Sequence, residues 1–258
     1  MNEHSNDAGL TMPMPMTGIG TYQLRGGQCV STVRDALALG YRHIDTARMY
    51  GNEAEVGEAV AASGVARSEI FLTTKIWTSD FRAKDFVAAT ERSLEALRMD
   101  YVDLLLLHWP QSSVPLEETL GALQQVIANG WVRRGGVSNF SVALMERALA
   151  IAGDAVCCNQ VPCHVGAAPA PLIAAARRHG VHVTAYSPLA QGALGRNGEL
   201  AKIGARYDAT PAQVALRWLT QQGIAVIPKA SSQARLAENL AAQQLTLSDS
   251  DLALLGRL

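Results

Sequence analysis

The sequence predicts an α/β fold, a (β/α)8 TIM barrel of a single domain. Short β-rich runs alternate with amphipathic helical runs through the 258-residue chain, the pattern of a largely parallel sheet. The strand–helix units number eight, which about 250 residues accommodate as one barrel. The rival doubly wound sheet would carry a dinucleotide fingerprint after its first strand. Gly18-Ile19-Gly20-Thr21-Tyr22-Gln23 has only the first two glycines of one and reads more simply as a turn leaving the first strand.

The first strand falls at 17–22. A helix over 31–39 is stopped by Gly40, because glycine readily takes the left-handed backbone that ends helices. The second strand, 41–45, leads to a helix over 52–62 that ends at Ser63-Gly64. The third strand is 70–75 and its helix 84–97; the fourth is 102–108 and its helix 116–129, closed by Gly130. The fifth strand, 132–137, precedes a helix over 142–152, and the sixth, 155–161, precedes one over 171–179 that Gly180 ends. The seventh strand is 181–187. A helix over 211–222 begins with Pro211 at the favoured first position and precedes the eighth strand, 224–228. Helices over 233–242 and 248–255 follow.

Composition narrows the function. The chain is 48% hydrophobic and 17% charged with net charge −1, so no basic stripe recommends nucleic acid. An anionic ligand would need local cations instead. No apolar run approaches 18 residues, so no membrane span is expected. Residues 1–16 contain Glu3 and Asp7 but no Lys or Arg, unlike a signal peptide. They read as a flexible leader to a domain over 17–258, with the Met-Pro repeat at 12–16 extended because proline disfavours helix in the residue before it. The cysteines are Cys29, Cys157, Cys158 and Cys163. The last three and His164 invite a zinc reading, but adjacent strand residues face opposite ways and zinc needs four converging ligands. Reduced thiols in a reducing, cytoplasmic setting are the simpler reading, with no metal.

Polar residues stand where three apolar strand patterns stop. Asp45 closes Tyr41-Arg42-His43-Ile44, Lys75 closes Ile70-Phe71-Leu72-Thr73-Thr74, and His108 closes the run from Tyr101 to Leu107. Tyr50 lies five residues beyond Asp45. Barrel active sites form at the C-terminal ends of strands, so all four share one rim. A free phenol titrates near about pH 10, and a neighbouring ammonium stabilises its phenolate. Asp45 would hold Lys75 charged and oriented, Tyr50 would exchange a proton with a substrate oxygen, and His108 would aim that oxygen. Such a set suits carbonyl reduction and its reverse. Taken singly, each residue has an ordinary role: a cap for Asp45, a solvated charge for Lys75, packing for Tyr50, a satisfied core imidazole for His108. The residues alone leave the two readings balanced.

Longer motifs tip that balance. Asp45-Thr46-Ala47-Arg48-Met49-Tyr50-Gly51-Asn52-Glu53, Thr74-Lys75-Ile76-Trp77 and Leu107-His108-Trp109-Pro110 resemble, in order, the signature segments of the aldo-keto reductases. Gly136-Val137-Ser138-Asn139-Phe140 and 227–232 are similar to two further segments of that family. The resemblance spans nearly the whole chain. It implies a catalytic tetrad of Asp45, Tyr50, Lys75 and His108, with Tyr50 as general acid, and NADPH bound without a Rossmann fold. Ser138, Asn139 and Gln160 would hold the nicotinamide carboxamide, Tyr186 would stack on its ring, and Gly20, Thr21 and Asp45 would border it. Ser187, Leu189 and Gln191 would line the pyrophosphate path. Lys229, Ser231, Ser232, Arg235, Glu238 and Asn239 would clamp the adenosine 2′-phosphate and adenine. Tyr22, Trp77 and Trp109, with Tyr50 and His108, would wall the pocket for a small carbonyl substrate.

Within the family the chain looks most like the short bacterial 2,5-diketo-D-gluconate reductases, through 61–67 and 100–104. It departs from the family pattern at Ala230, where a serine is usual, and at Val161-Pro162-Cys163-His164, where the loop after the sixth strand is expected to be remodelled. A chain stopping at Leu258 carries an expectation of an open pocket. A monomer is the expected state. Two rivals remain: an NADPH-binding regulatory protein without catalysis, and a Schiff-base aldolase using Lys75.

Overall fold

The structure is a computed structural model that describes residues 13–258. The leader expected over 1–16 therefore lies largely outside the described residues. Eight strands form one sheet: β1 (Ile19–Gly20), β2 (His43–Asp45), β3 (Phe71–Ile76), β4 (Val102–Leu107), β5 (Val132–Ser138), β6 (Val156–Pro162), β7 (His182–Tyr186) and β8 (Ala225–Val226). They lie in sequence order and every neighbouring pair is parallel. A doubly wound sheet would reverse its strand order at a switch point, and none occurs here. The sheet also curls back on itself. Thr17 bridges Val226 in parallel, Gly18 N donates to Val226 O at 2.8 Å, and Val226 N donates to Met16 O at 2.8 Å. The arrangement is consistent with the expected (β/α)8 barrel.

Ten α-helices among the described residues surround the sheet: α1 (Gly26–Ala38), α2 (Glu53–Ala61), α3 (Ala83–Leu97), α4 (Leu116–Ala128), α5 (Val142–Ala152), α6 (Ala170–Arg178), α7 (Gly198–Gly204), α8 (Pro211–Thr220), α9 (Gln233–Ala241) and α10 (Asp249–Leu255). Two differ materially from expectation. α1 begins five residues before the expected 31, across Gly26-Gly27, where weak helix propensity hid its start. α7 was not anticipated; Asn197 caps it by accepting from Glu199 N and Leu200 N. The first strand is shorter than expected because, just past its last ladder bond, Leu24 N donates to Thr21 O at 3.0 Å and closes a turn.

Strand alternation decides what faces the barrel interior. Leu105 and Leu107 pack outward into the large core beneath the helices, while Phe71, Leu104, Leu106 and Cys158 form a separate inner cluster. The same period along β3 places Phe71, Thr73 and Lys75 on one face. Lys75 thus stands one strand step above Thr73 and two above an apolar floor. Met14 packs against that floor and His43 Nδ1 bonds Pro15 O at 3.1 Å, so this part of the expected leader is held against the barrel.

Behind the strands, α2 fits only because Gly57 lacks a side chain: a Cβ there would sit 2.2 Å from Leu97 O. Asn52, fully buried, clamps the turn into α2 by donating to Thr21 O and Leu24 O and accepting from Thr46 Oγ1. These contacts fix the loop from Asp45 to Tyr50.

Candidate active site

At the C-terminal ends of β2 and β3, Lys75 and Asp45 meet in a buried ion pair with Nζ–Oδ1 of 2.5 Å. Lys75 Nζ also donates to Thr46 O at 2.8 Å and to Tyr50 OH at 3.5 Å. All three ammonium protons therefore have acceptors, the condition under which a buried charge is tolerated. The ammonium lies 5.0 Å from the Tyr50 ring centroid. His108 completes the group, its ring 5.6 Å from that of Tyr50 and nearly perpendicular to it.

Burial alone would lower the Lys75 pKa; Asp45 and Tyr50 overcome it and hold the ammonium above its ordinary value. For Tyr50 two influences oppose each other, the expected one from Lys75 and a larger one from burial. Burial raises the phenol's pKa, and Lys75 opposes that rise without cancelling it. Tyr50 is thus held protonated, as a donor must be. Burial, with Lys75 adding to it, pushes His108 down to about 3, so its imidazole is neutral. Among the described residues His108 Nδ1 is buried without a partner. Buried acceptors are left unpaired more often than buried N–H groups, which favours the tautomer with its proton on Nε2.

Residues from the second half of the barrel close in on this group. Gln160 Nε2 donates to Asp45 Oδ2 at 2.7 Å. Gln160 O accepts from Ser138 Oγ at 2.8 Å and from Asn139 N at 2.9 Å. Asn139 takes a left-handed backbone, φ +64°; its Nδ2 donates to His108 O at 3.1 Å and its Oδ1 accepts from Tyr186 OH at 2.9 Å. Gly20 ends β1 where a Cβ would meet Ile227 O at 2.7 Å, and Thr21 Oγ1 donates to Asp45 O. Tyr22 packs on Tyr50 at 5.1 Å and Trp77 on His108 at 5.0 Å. Trp109 is exposed, and among the described residues no ring contact ties it to this group.

The remaining predicted residues lie farther along the rim. Ser187 and Gln191 adopt left-handed backbones, and Leu189 is partly buried against the core. Lys229, Ser231, Ser232 and Arg235 are exposed around the start of α9, whose N-cap is Ser232. No carboxylate among the described residues pairs with Lys229 or Arg235. Glu238 instead accepts from Thr210 Oγ1 at 2.6 Å, and Asn239 is buried. Sequence reasoning missed one contributor, Thr46, which acts through its backbone carbonyl and so left no side-chain signal.

Comparison with known proteins decides the family. The model of the family described as the aldo/keto reductase family matches residues 17–258. The chain belongs to the aldo/keto reductase family. This aldo/keto reductase is 42% identical to methylglyoxal reductase DkgB of Escherichia coli O157:H7, over 93% of its own length and 91% of that protein. It is 38% identical to glyoxal reductase of Bacillus subtilis, over 93% and 87%. A crystal structure provisionally named 2,5-diketo-D-gluconic acid reductase B superposes with a TM-score of 0.93 at 43% identity, covering 95% of this chain and 88% of that one. The chain is accordingly an oxidoreductase that reduces carbonyl groups. No helix among the described residues is long and apolar enough to cross a membrane.

Proposed function

We propose that this single-domain reductase uses NADPH to convert small uncharged dicarbonyl compounds to hydroxycarbonyl products. The observation that carries the reading is the buried Lys75 ammonium shared between Asp45 and Tyr50. A phenol held protonated by burial, yet facing a fixed cation, can give up its proton as negative charge grows on a substrate oxygen. The neutral His108, carrying its proton on Nε2, donates to the same oxygen and orients it. When bound, the reduced nicotinamide supplies the hydride. Lys75 then faces the phenolate left on Tyr50 and stabilises it until a proton returns from solvent.

The residues present suit that cofactor. The Asp45 carboxylate only accepts hydrogen bonds, so Gln160 must turn its NH2 toward it; among the described residues none donates to the Gln160 Oε1 left over. That free acceptor, with Ser138 and Asn139, suits a carboxamide. The half-buried Tyr186 offers a ring. Two unpaired cations, Lys229 and Arg235, beside the hydroxyls of Ser231 and Ser232 suit a phosphate. The 2′-phosphate preference survives Ala230, whose methyl is buried in the core while its two serine neighbours face outward.

For the substrate, the names of the methylglyoxal and glyoxal reductases share a vicinal dicarbonyl. The aromatic wall of Tyr22 against Tyr50 and Trp77 against His108 suits an uncharged molecule of that kind. A Schiff-base role for Lys75 is disfavoured, because its amine is protonated and fully bonded. The buried thiols of Cys29, Cys158 and Cys163 suit a reducing, cytoplasmic setting, and a monomer completes the reading. The test is NADPH oxidation kinetics with methylglyoxal, glyoxal, a simple aldehyde and a keto-sugar acid, repeated with NADH. Rapid turnover of dicarbonyls with NADPH is expected. Cofactor binding without turnover of any carbonyl would establish the regulatory alternative.

A further inference from the structure

We propose that Gln160 is a positioning residue for proton transfer, locking the Asp45 carboxylate onto Lys75 and so tying the cofactor-holding half of the site to the proton-donating half. The inference rests on the reductase reading above and adds to it a second job for a residue otherwise assigned to the cofactor.

Asp45 has two carboxylate oxygens, and each is occupied by one partner: Oδ1 by Lys75 Nζ at 2.5 Å and Oδ2 by Gln160 Nε2 at 2.7 Å. Both donors are almost fully buried. In such surroundings a carboxylate with one free oxygen would be poorly solvated and free to rotate about its χ2 bond. Gln160 removes that freedom. Its backbone is anchored, since it lies within β6 and its main-chain carbonyl accepts from both Ser138 Oγ and Asn139 N, and its side chain is almost fully buried. The result is one chain of bonds: Tyr50, Lys75, Asp45, Gln160, then Asn139, which holds the His108 carbonyl. The oxygen-handling residues on β2 to β4 are thereby fixed from β5 and β6, 115 residues away in sequence at the Asp45–Gln160 contact.

Without the Gln160 amide, Asp45 can turn away from Lys75. The ammonium then loses its fixed direction toward Tyr50, the phenolate is less stabilised, and the phenol becomes a weaker acid. A residue that only touches cofactor would have none of these effects once cofactor saturates.

The experiment compares wild type, Gln160→Met and Gln160→Glu, recording NADPH affinity by fluorescence and the pH profile of kcat at saturating NADPH. In cofactor-free protein, tyrosine ionisation is followed by NMR with labelled tyrosine, the Tyr50 signal being assigned from Tyr50→Phe. For Gln160→Met, kcat at neutral pH should fall about tenfold or more, the scale of losing one hydrogen bond to a charged group. Its Tyr50 ionisation should move to higher pH with no cofactor present. For Gln160→Glu, the new carboxyl can donate to Asp45 only while protonated, so kcat should recover toward wild type as pH falls; Gln160→Met should show no such recovery. Should both variants bind NADPH more weakly yet keep the wild-type kcat, pH profile and Tyr50 ionisation, Gln160 is a cofactor contact alone and the inference fails. A wild-type protein that reduces no carbonyl compound would instead defeat the reductase reading itself.

Discussion

The two ends of the proposed site are built on opposite terms. Asp45, Lys75 and His108 are buried and Tyr50 partly so; Lys75 is hydrogen-bonded to both Asp45 and Tyr50, and His108 packs edge-on against the Tyr50 ring. Around 187–192 and 229–235 the chain is more open: Lys229 and Arg235 are exposed, and no carboxylate among the described residues pairs with them. Ser187, Ala190 and Gln191 there adopt left-handed backbones at a cost of order 1 kcal/mol each. The first region meets its desolvation penalty during folding, so its geometry exists before any ligand arrives. The second leaves its cations in water, where they lose little until a phosphate joins them. Reaction geometry is thus preorganised, while affinity for the cofactor's charged tail is left for binding to supply.

The sharpest way to break this contrast is Tyr50→Phe. If the preorganised end carries proton transfer, turnover should fall by about 10²- to 10⁴-fold while NADPH affinity, read by fluorescence, stays near wild type. Lys75→Met tests the folding side. It strands the buried Asp45 carboxylate, and urea unfolding should show a loss of about 3–5 kcal/mol. At the open end, Lys229→Met or Arg235→Met should leave unfolding unchanged and raise the NADPH KM by about 10- to 100-fold, the worth of a charged hydrogen bond, with the NADH KM unmoved. An equal effect on both cofactors would mean that these cations do not read the 2′-phosphate.

Acid should also separate the regions. The His108 pKa is about 3 in the folded chain against 6.5 as a free side chain, and His43 is lowered too, mainly by burial. Below 6.5 the unfolded chain takes up protons that the folded chain refuses. Stability from these two groups is therefore full above pH 6.5 and is lost as pH falls below it, for His108 until about pH 3. Urea midpoints at pH 7 and pH 5 should show a decrease, and His108→Gln should shrink it. A kcat profile with a break near 6.5 would contradict the neutral imidazole.

Much of the preorganised end was legible because alternation and strand endings are local signals. Asp45, Lys75 and His108 each close an apolar run, and the structure brings them to one rim with Tyr50. The Gln160–Asp45 bond was not legible, since it depends on β6 facing β2 across the barrel. The sign of the Tyr50 balance was hidden for a related reason: a sequence names the neighbouring ammonium but not the depth of burial that outweighs it. The start of α1 at Gly26 and the whole of α7 were missed where glycines weaken the helical pattern and tertiary contacts restore it.

Ala230 offers the smallest and most discriminating test of the contrast, because it sits on the boundary. Its neighbours Lys229 and Ser231 are exposed, while its own methyl is 3% exposed within the main core. If the phosphate clamp is made by the outward residues alone, Ala230→Ser should leave the NADPH KM within about threefold of wild type, less than one neutral hydrogen bond is worth. The new hydroxyl would enter the core, so its effect should appear as a loss of about 1–3 kcal/mol if it finds no acceptor there. A clear drop in NADPH KM with unchanged stability would mean instead that residue 230 faces the cofactor and that alanine at this position relaxes the choice between NADPH and NADH.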